Sequence, residues 1–270
     1  MCKTREFMKK YFHHRGKKIF YSDEGSGKPV VLVHGYLETG DSWKSFSQRL
    51  SSFRVLTIDL PGHGASDILS EVHTMELMAE TINGLLNATA IEKACVIGHS
   101  MGGYVTLAFL ELYPERLSGY CLFHSHPLAD TEASHQKRDR EIELVRSGRK
   151  FLVYPDNIRS MFAPGNIEKF KSAIDDADRI AAGITGEGII TVLRGMKARP
   201  SRIHVMEAGR VPGLWILGTM DNHIPFKSIR EKVRIPANCQ IGILSDSGHL
   251  GFVEEPARSL EIITDFLKNL

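Results

Sequence analysis

The chain is poor in cysteine, in net charge and in long apolar runs. Its four cysteines among 270 residues (Cys2, Cys95, Cys121 and Cys239) are irregularly spaced, and no Cys-x-x-Cys pair occurs. Cys95 and Cys121 fall in apolar runs, where a free thiol behaves as a small hydrophobe. A reduced, cytoplasmic compartment is expected. Lys and Arg number 34 against 32 Asp and Glu, a formal net charge of +2. Nucleic-acid binding needs clustered positive charge and is not expected. The basic clusters Lys9-Lys10, His13 to Lys18 and Lys137-Arg138 read as solvated surface. No apolar run reaches about 18 residues, so no membrane contact is expected. Met1 to Lys10 is charged and lacks the apolar segment of a signal peptide, and Cys2 has no apolar stretch before it.

What is present is ordinary in bulk. Apolar residues make up 42% and charged residues 24%, as in globular proteins generally. The length allows a sizeable core, in one large α/β domain or two small ones. Histidine stands out, at 12. It titrates near neutral pH and ligates metals, so position must decide what these residues do.

Periodicity orders the chain. Phe7 to Tyr21 alternates around Arg15-Gly16 and predicts a β-hairpin. Val30 to Val33, Val55 to Ile58, Ala94 to Ile97, Tyr120 to Phe123, Leu214 to Leu217 and Ile241 to Leu244 are short apolar runs that read as buried strands. Between them, helical spacing marks Ser42 to Leu50, Thr74 to Leu86, Gly102 to Leu112, Ile189 to Lys197 and Ala257 to Leu267. Alternating strands and helices imply βαβ units and a parallel sheet. From Pro127 to Gly183 the texture changes to charged helical stretches, Thr131 to Arg146 and Asn166 to Ala182, with no buried strand. The expected organisation is a core over 1–126 and 184–270, interrupted by a helical cap over 127–183.

Gly98-His99-Ser100-Met101-Gly102 fits G-x-S-x-G between a buried strand and a helix, the context this motif requires. A sharp strand-to-helix turn strains the serine backbone and lifts its oxygen clear of the sheet. The glycines leave room for neighbouring backbone. The helix that follows adds positive partial charge near the hydroxyl.

With this motif the chain resembles the α/β-hydrolase superfamily, on five landmarks in order. They are His34-Gly35, the run Asp59 to Ser66, Gly98 to Gly102, Gly218 to Asp221 with Pro225, and Gly248-His249. The resemblance implies an α/β fold: a mostly parallel eight-stranded sheet, helices on both faces and a helical cap.

A serine hydroxyl needs a base, and histidine suits neutral pH. The resemblance puts the base at His249, after the last strand, and the acid at Asp221, in the chain order Ser, acid, His. Asp221 would fix the tautomer of the base and stabilise its charged form. The rivals Asp246 and Glu254 read as solvated loop carboxylates. The oxyanion donors are expected at the backbone N–H groups of Met101 and Tyr36, with Leu37 as the fallback. His34 reads as a prop for that loop.

His124 and His126, spaced i, i+2 at a strand end, should point to one side and line the pocket. No further ligand stands at suitable spacing, so no metal is expected. His63 reads as structural, and His223 as packing beside the acid. His13, His14, His73, His135 and His204 read as surface or helix residues. Leu37, Ile158, Met161 and Phe162 are the remaining pocket candidates. A serine at position 100 disfavours the dehalogenase and epoxide-hydrolase branches, whose nucleophile is Asp. His34-Gly35-Tyr36-Leu37 lacks the His-Gly-Gly-Gly of the hormone-sensitive-lipase branch.

The expected activity is carboxylesterase-like: a serine hydrolase cleaving a small carboxylic ester or lactone through an acyl-enzyme, without a cofactor. Two alternatives stay open. One is a ligand-binding or signalling protein on the same fold, non-catalytic or slow to turn over. The other is a C–C bond hydrolase or acyl transferase using the same residues. Nothing in the sequence speaks to oligomeric state.

Overall fold

The computed structural model describes residues 9–270, apart from the side chains of Lys227 and Ser228. The reading of Cys2, most of the Met1 to Lys10 segment and the Phe7 start of the hairpin lie outside the described residues.

Eight strands form one sheet in the order β1-β2-β4-β3-β5-β6-β7-β8. They are β1 (Lys10–His14), β2 (Lys17–Glu24), β3 (Pro29–Val33), β4 (Arg54–Ile58), β5 (Ala94–His99), β6 (Leu117–Phe123), β7 (Gly213–Gly218) and β8 (Cys239–Leu244). β1 and β2 are the expected hairpin, turning at Arg15 and Gly16, both with positive φ. β2 joins β4 antiparallel, and every later pairing is parallel. The central strands are apolar runs because both faces are covered; all six residues of β5 are buried.

The helices are α1 (Lys44–Ser47), α2 (Met75–Ala88), α3 (Met101–Leu112), α4 (Glu132–Arg146), α5 (Tyr154–Met161), α6 (Lys171–Gly183), α7 (Gly186–Ala198), α8 (Ile203–Glu207), α9 (Phe226–Arg230), α10 (Gly251–Glu254) and α11 (Pro256–Lys268). Thr74, Thr131 and Thr185 cap α2, α4 and α7 through side-chain bonds to backbone N–H groups. Such caps satisfy donors the first turn leaves unpaired.

Two expected helices differ. Ser42 to Leu50 is split into a 3-10 turn, Gly40–Trp43, and the single turn α1. Serine hydroxyls compete for the backbone here, as Ser47 does in donating to the Lys44 carbonyl at 3.0 Å. The stretch from Asn166 becomes helical only at Lys171, after a 3-10 turn begun by Pro164. Helix α5 was not marked by the sequence. Among the described residues no helix is long and apolar enough to cross a membrane.

Strand order explains where a site can form. The chain leaves β3 toward β4 on one side, and leaves β5 toward β6 on the other. The loops after β3 and β5 therefore diverge, which opens a crevice at the carboxyl ends of these strands.

Candidate active site

Ser100 stands at this crevice, between β5 and α3, with φ +50° and ψ −114°. A non-glycine residue there is strained, at a cost of about 1–3 kcal/mol. The surroundings hold it: Ser100 N–H donates to the Phe123 carbonyl at 3.0 Å, and Ser125 Oγ donates to the Ser100 carbonyl at 2.7 Å. Two glycines make the turn possible. A Cβ on Gly98 would sit 2.2 Å from the Gly102 carbonyl oxygen, and one on Gly102 would sit 2.4 Å from that of Val33. Helix α3 is buried from Met101 to Leu110, as a helix apolar on nearly every side must be.

Asp221, after β7, and His249, after β8, meet through a hydrogen bond. His249 Nδ1 lies 2.8 Å from Asp221 Oδ2. The other carboxylate oxygen accepts the backbone N–H groups of His223 at 2.8 Å and Ile224 at 2.9 Å. Burial alone would raise the Asp221 carboxyl. The charge and hydrogen bonds of His249 and His124 outweigh it and hold Asp221 well below the usual carboxylate range. Facing an ionised carboxylate, His249 carries its proton on Nδ1. Nε2 is then left with its lone pair, and His249 lines the same cavity as Ser100.

That cavity, of about 280 Å³, is also lined by Tyr36, Leu37, Tyr104, His126, Arg138 and Met161. A neighbouring apolar cavity of about 360 Å³ shares Tyr36, Leu37 and Met161 with it, and Ile158, Phe162, Leu250 and Phe252 complete much of its wall. Leu37, buried with φ +63°, stands between the two. Met101 is the first residue of α3, where N–H groups have no carbonyl partner within the helix. Tyr36 directs its hydroxyl to Glu141 Oε2 at 3.2 Å. Burial and the Glu141 carboxylate push this phenol well above its usual value.

His124 departs from expectation. It lines neither cavity and is fully buried. Its positive φ of 47° breaks the strand alternation on which the expectation rested. Nε2 accepts from Gly251 N–H at 3.2 Å, so Nδ1 is the donor to Asp221 Oδ2, also at 3.2 Å. Burial holds this ring down, with a pKa of about 4. His126 does reach the cavity. Leu128 N–H donates to its Nδ1 at 3.1 Å, which leaves Nε2 to donate to the Tyr104 hydroxyl at 3.3 Å. Burial, then the Arg199 charge, lowers it to about 3.

Other expectations are corrected by burial. Glu254 is not a solvated carboxylate: it accepts from the N–H groups of Ala163 and Gly248, each at 2.9 Å, tying the loop before His249 to the segment after α5. Asp246 is exposed. Arg138 is not simple surface; it pairs with Asp130, which also binds Arg199, at the cavity wall. His73 is buried and accepts the Leu69 N–H at 3.1 Å. His34 bridges the loops after β3 and β4, with Nδ1 on the Gly35 carbonyl and Nε2 accepting Leu60 N–H.

Sequence reasoning passed over Glu38 and His99. Both are buried, and His99 Nδ1 lies 3.0 Å from Glu38 Oε2. The available signal was a lone carboxylate in the otherwise uncharged run Pro29 to Gly40.

His124, Asp221 and His249 place ligand-type atoms within 4.8 Å of one another. The hydrogen bonds above already use those atoms: both Nδ1 atoms carry protons toward Asp221, and His124 Nε2 is taken by Gly251. A metal would have to displace these protons, so the set fits a hydrogen-bonded cluster better than a ligand shell.

Residues 28–139 match the family model of the alpha/beta hydrolase fold. The chain is 28% identical to a thermophilic esterase from Thermogutta terrifontis, whose malate-bound structure superposes with a TM-score of 0.91 over 97% of this chain and 98% of that one. The enol-lactonase of Burkholderia xenovorans, 21% identical, gives a TM-score of 0.88 over 96% and 100% of the two chains. A 2-hydroxy-6-oxononadienedioate/2-hydroxy-6-oxononatrienedioate hydrolase of Paraburkholderia phymatum is 26% identical over 93% of this chain and 91% of its own.

Proposed function

We propose that the chain is an α/β-hydrolase, on the match of residues 28–139 and the likeness to the Thermogutta terrifontis esterase, and that it acts as a serine hydrolase of small carboxylic esters or lactones. One observation carries the reading. Ser100, on a strained turn, shares a cavity with a histidine whose far nitrogen is anchored 2.8 Å from a buried carboxylate.

In this reading Ser100 Oγ attacks the carbonyl carbon while His249 Nε2 takes its proton. Asp221 stays ionised, fixes the tautomer and stabilises the imidazolium. The N–H groups of Met101 and Tyr36 receive the developing oxyanion, each such donor contributing roughly 2.7–4 kcal/mol. The tetrahedral intermediate collapses with loss of the C–O bond, and His249 returns the proton to the leaving oxygen. Water, activated by the same base, then releases the acid and restores Ser100. No step needs a cofactor. Helices over 127–183 serve as the cap, supplying Ile158, Met161 and Phe162 to the apolar side of the pocket. The buried free thiols Cys95, Cys121 and Cys239 suit a reduced, cytoplasmic setting.

A second reading is hydrolysis of a C–C bond in an anionic substrate by the same residues. The likeness to the Paraburkholderia phymatum hydrolase favours it.

Turnover of p-nitrophenyl acetate and labelling by a fluorophosphonate test the proposal. Labelling at Ser100, located by mass spectrometry, with turnover lost in Ser100→Ala, is the expected result. Folded protein that neither turns over nor labels overturns it. A panel of esters, lactones and vinylogous 1,5-diketones separates the two readings.

A further inference from the structure

Glu38 and His99 take no part in these steps, yet both are buried directly against them. His99 precedes Ser100, and Glu38 stands two residues beyond Tyr36. The His99 ring is held at both ends. Nδ1 lies 3.0 Å from each carboxylate oxygen of Glu38. Nε2 lies 2.8 Å from the backbone carbonyl oxygen of His249. A carbonyl and an ionised carboxylate have only lone pairs to offer, so both ring nitrogens must donate, and such a ring is an imidazolium. Glu38 Oε2 also accepts the Gly35 N–H at 2.6 Å, at the root of the loop that carries Tyr36. Trp43, Phe123 and Phe252 present their rings edge-on around His99 and wall it off from water.

We propose that Glu38 and His99 form a buried ion pair that positions the reacting groups, the carboxylate fixing the Tyr36 loop and the imidazolium fixing the backbone of His249. The proposal rests on the reading of Ser100 and His249 given above. It adds two positioning residues that act through the oxyanion loop and the base.

The electrostatics agree. Burial by itself opposes charge on either group. The pair's mutual attraction and hydrogen bonds outweigh burial, so Glu38 is held below its usual value and His99 above its own. Asp221 adds attraction on His99. His34, buried and held below its usual value, faces the pair from the loop after β3. The rings of His124 and His249 lie against the His99 ring, and His223 is near enough to feel its charge. The competing arrangement, a neutral pair with the proton on Glu38, would leave Nδ1 as an acceptor.

Nitrogen NMR of the histidine rings separates the two arrangements on the unaltered protein. The expected result is a His99 ring protonated on both nitrogens at pH 7. An unprotonated Nδ1 overturns the proposal, and this measurement stands even if a variant fails to fold. In Glu38→Gln, which keeps the side-chain shape without the charge, one His99 nitrogen should lose its proton. With p-nitrophenyl acetate, kcat should fall by roughly ten- to a hundredfold with KM changed less than about threefold, the signature of misplaced groups and not of lost binding. Fluorophosphonate labelling of Ser100 should slow in step. Unchanged kcat and labelling in Glu38→Gln also overturn the proposal. Failure of the wider reading shows separately, as turnover that survives Ser100→Ala.

Discussion

Asp221–His249 and Glu38–His99 are built from the same two kinds of side chain, both are buried, and their imidazoles lie 4.9 Å apart between ring centroids. They differ in what remains unused. Asp221 takes one nitrogen of His249 and leaves the other beside the Ser100 cavity. His99 has both nitrogens spent, one on Glu38 and one on the His249 carbonyl. A histidine with a spare lone pair can move a proton; one donating from both ends can only hold things in place. Residue type and burial are nearly equal in the two pairs, so the count of free nitrogens is what separates a candidate base from a strut.

The comparison breaks first at His249. His249→Gln removes the one ring nitrogen of the two pairs left over beside the Ser100 cavity, and on the proposed mechanism kcat should fall by on the order of 10⁴–10⁶-fold. A loss no larger than that of Glu38→Gln, measured on the same ester, would erase the distinction. Next is Asp221→Asn, expected to lower kcat by about 10⁴-fold by favouring the wrong tautomer. The loss should come with intact folding by circular dichroism. The carboxylate-to-amide change at Glu38 should cost far less, because it moves groups and does not reverse a proton. Smaller again is His124→Asn. His124 gives Asp221 Oδ2 a second hydrogen bond but has no nitrogen open to the cavity. Steady-state kinetics should show a decrease of less than about tenfold, within the worth of one charge-assisted hydrogen bond.

How much of this was legible in the sequence follows the same line. Ser100 was readable because its strain, its glycines and its strand-to-helix context are local, spanning five residues. The strands were readable because parallel strands covered on both faces are continuous apolar runs. Asp221 and His249 could be named through a resemblance, by their order after particular strands. Glu38 and His99 could not be paired, since 61 residues separate them, and the lone carboxylate between Pro29 and Gly40 does not say which residue it meets. His124 was misplaced because alternation was extended one residue past the end of β6, where positive φ turns the side chain inward. Glu254 and His73 were misread for a shared reason: a polar side chain in a loop looks solvated until another segment packs over it. The Ala163 N–H for Glu254 and the Thr191 hydroxyl for His73 appear only in three dimensions.

The smallest expected effect is on stability, and it turns on the sign of the histidine shifts. His73 and His124 are pressed by burial from the usual value of about 6.5 to about 4. As pH falls through this window the unfolded chain binds protons first, so these residues draw stability away between about pH 6.5 and pH 4. His99 is shifted the opposite way. Its contribution is fully present below the unfolded value and is lost only as pH rises through its raised folded value. In Glu38→Gln the partner charge is gone, and His99 should join the buried neutral histidines. The variant should therefore lose melting temperature more steeply than the unaltered protein between pH 6.5 and pH 4, by a few degrees, since about 1 kcal/mol corresponds to roughly 2–4 °C in chains approaching this size. Calorimetric scans of both proteins across that range check it. Parallel curves would mean that His99 carries the same charge with and without the Glu38 carboxylate, and the contrast between the two pairs would then rest on the position of their hydrogen bonds alone.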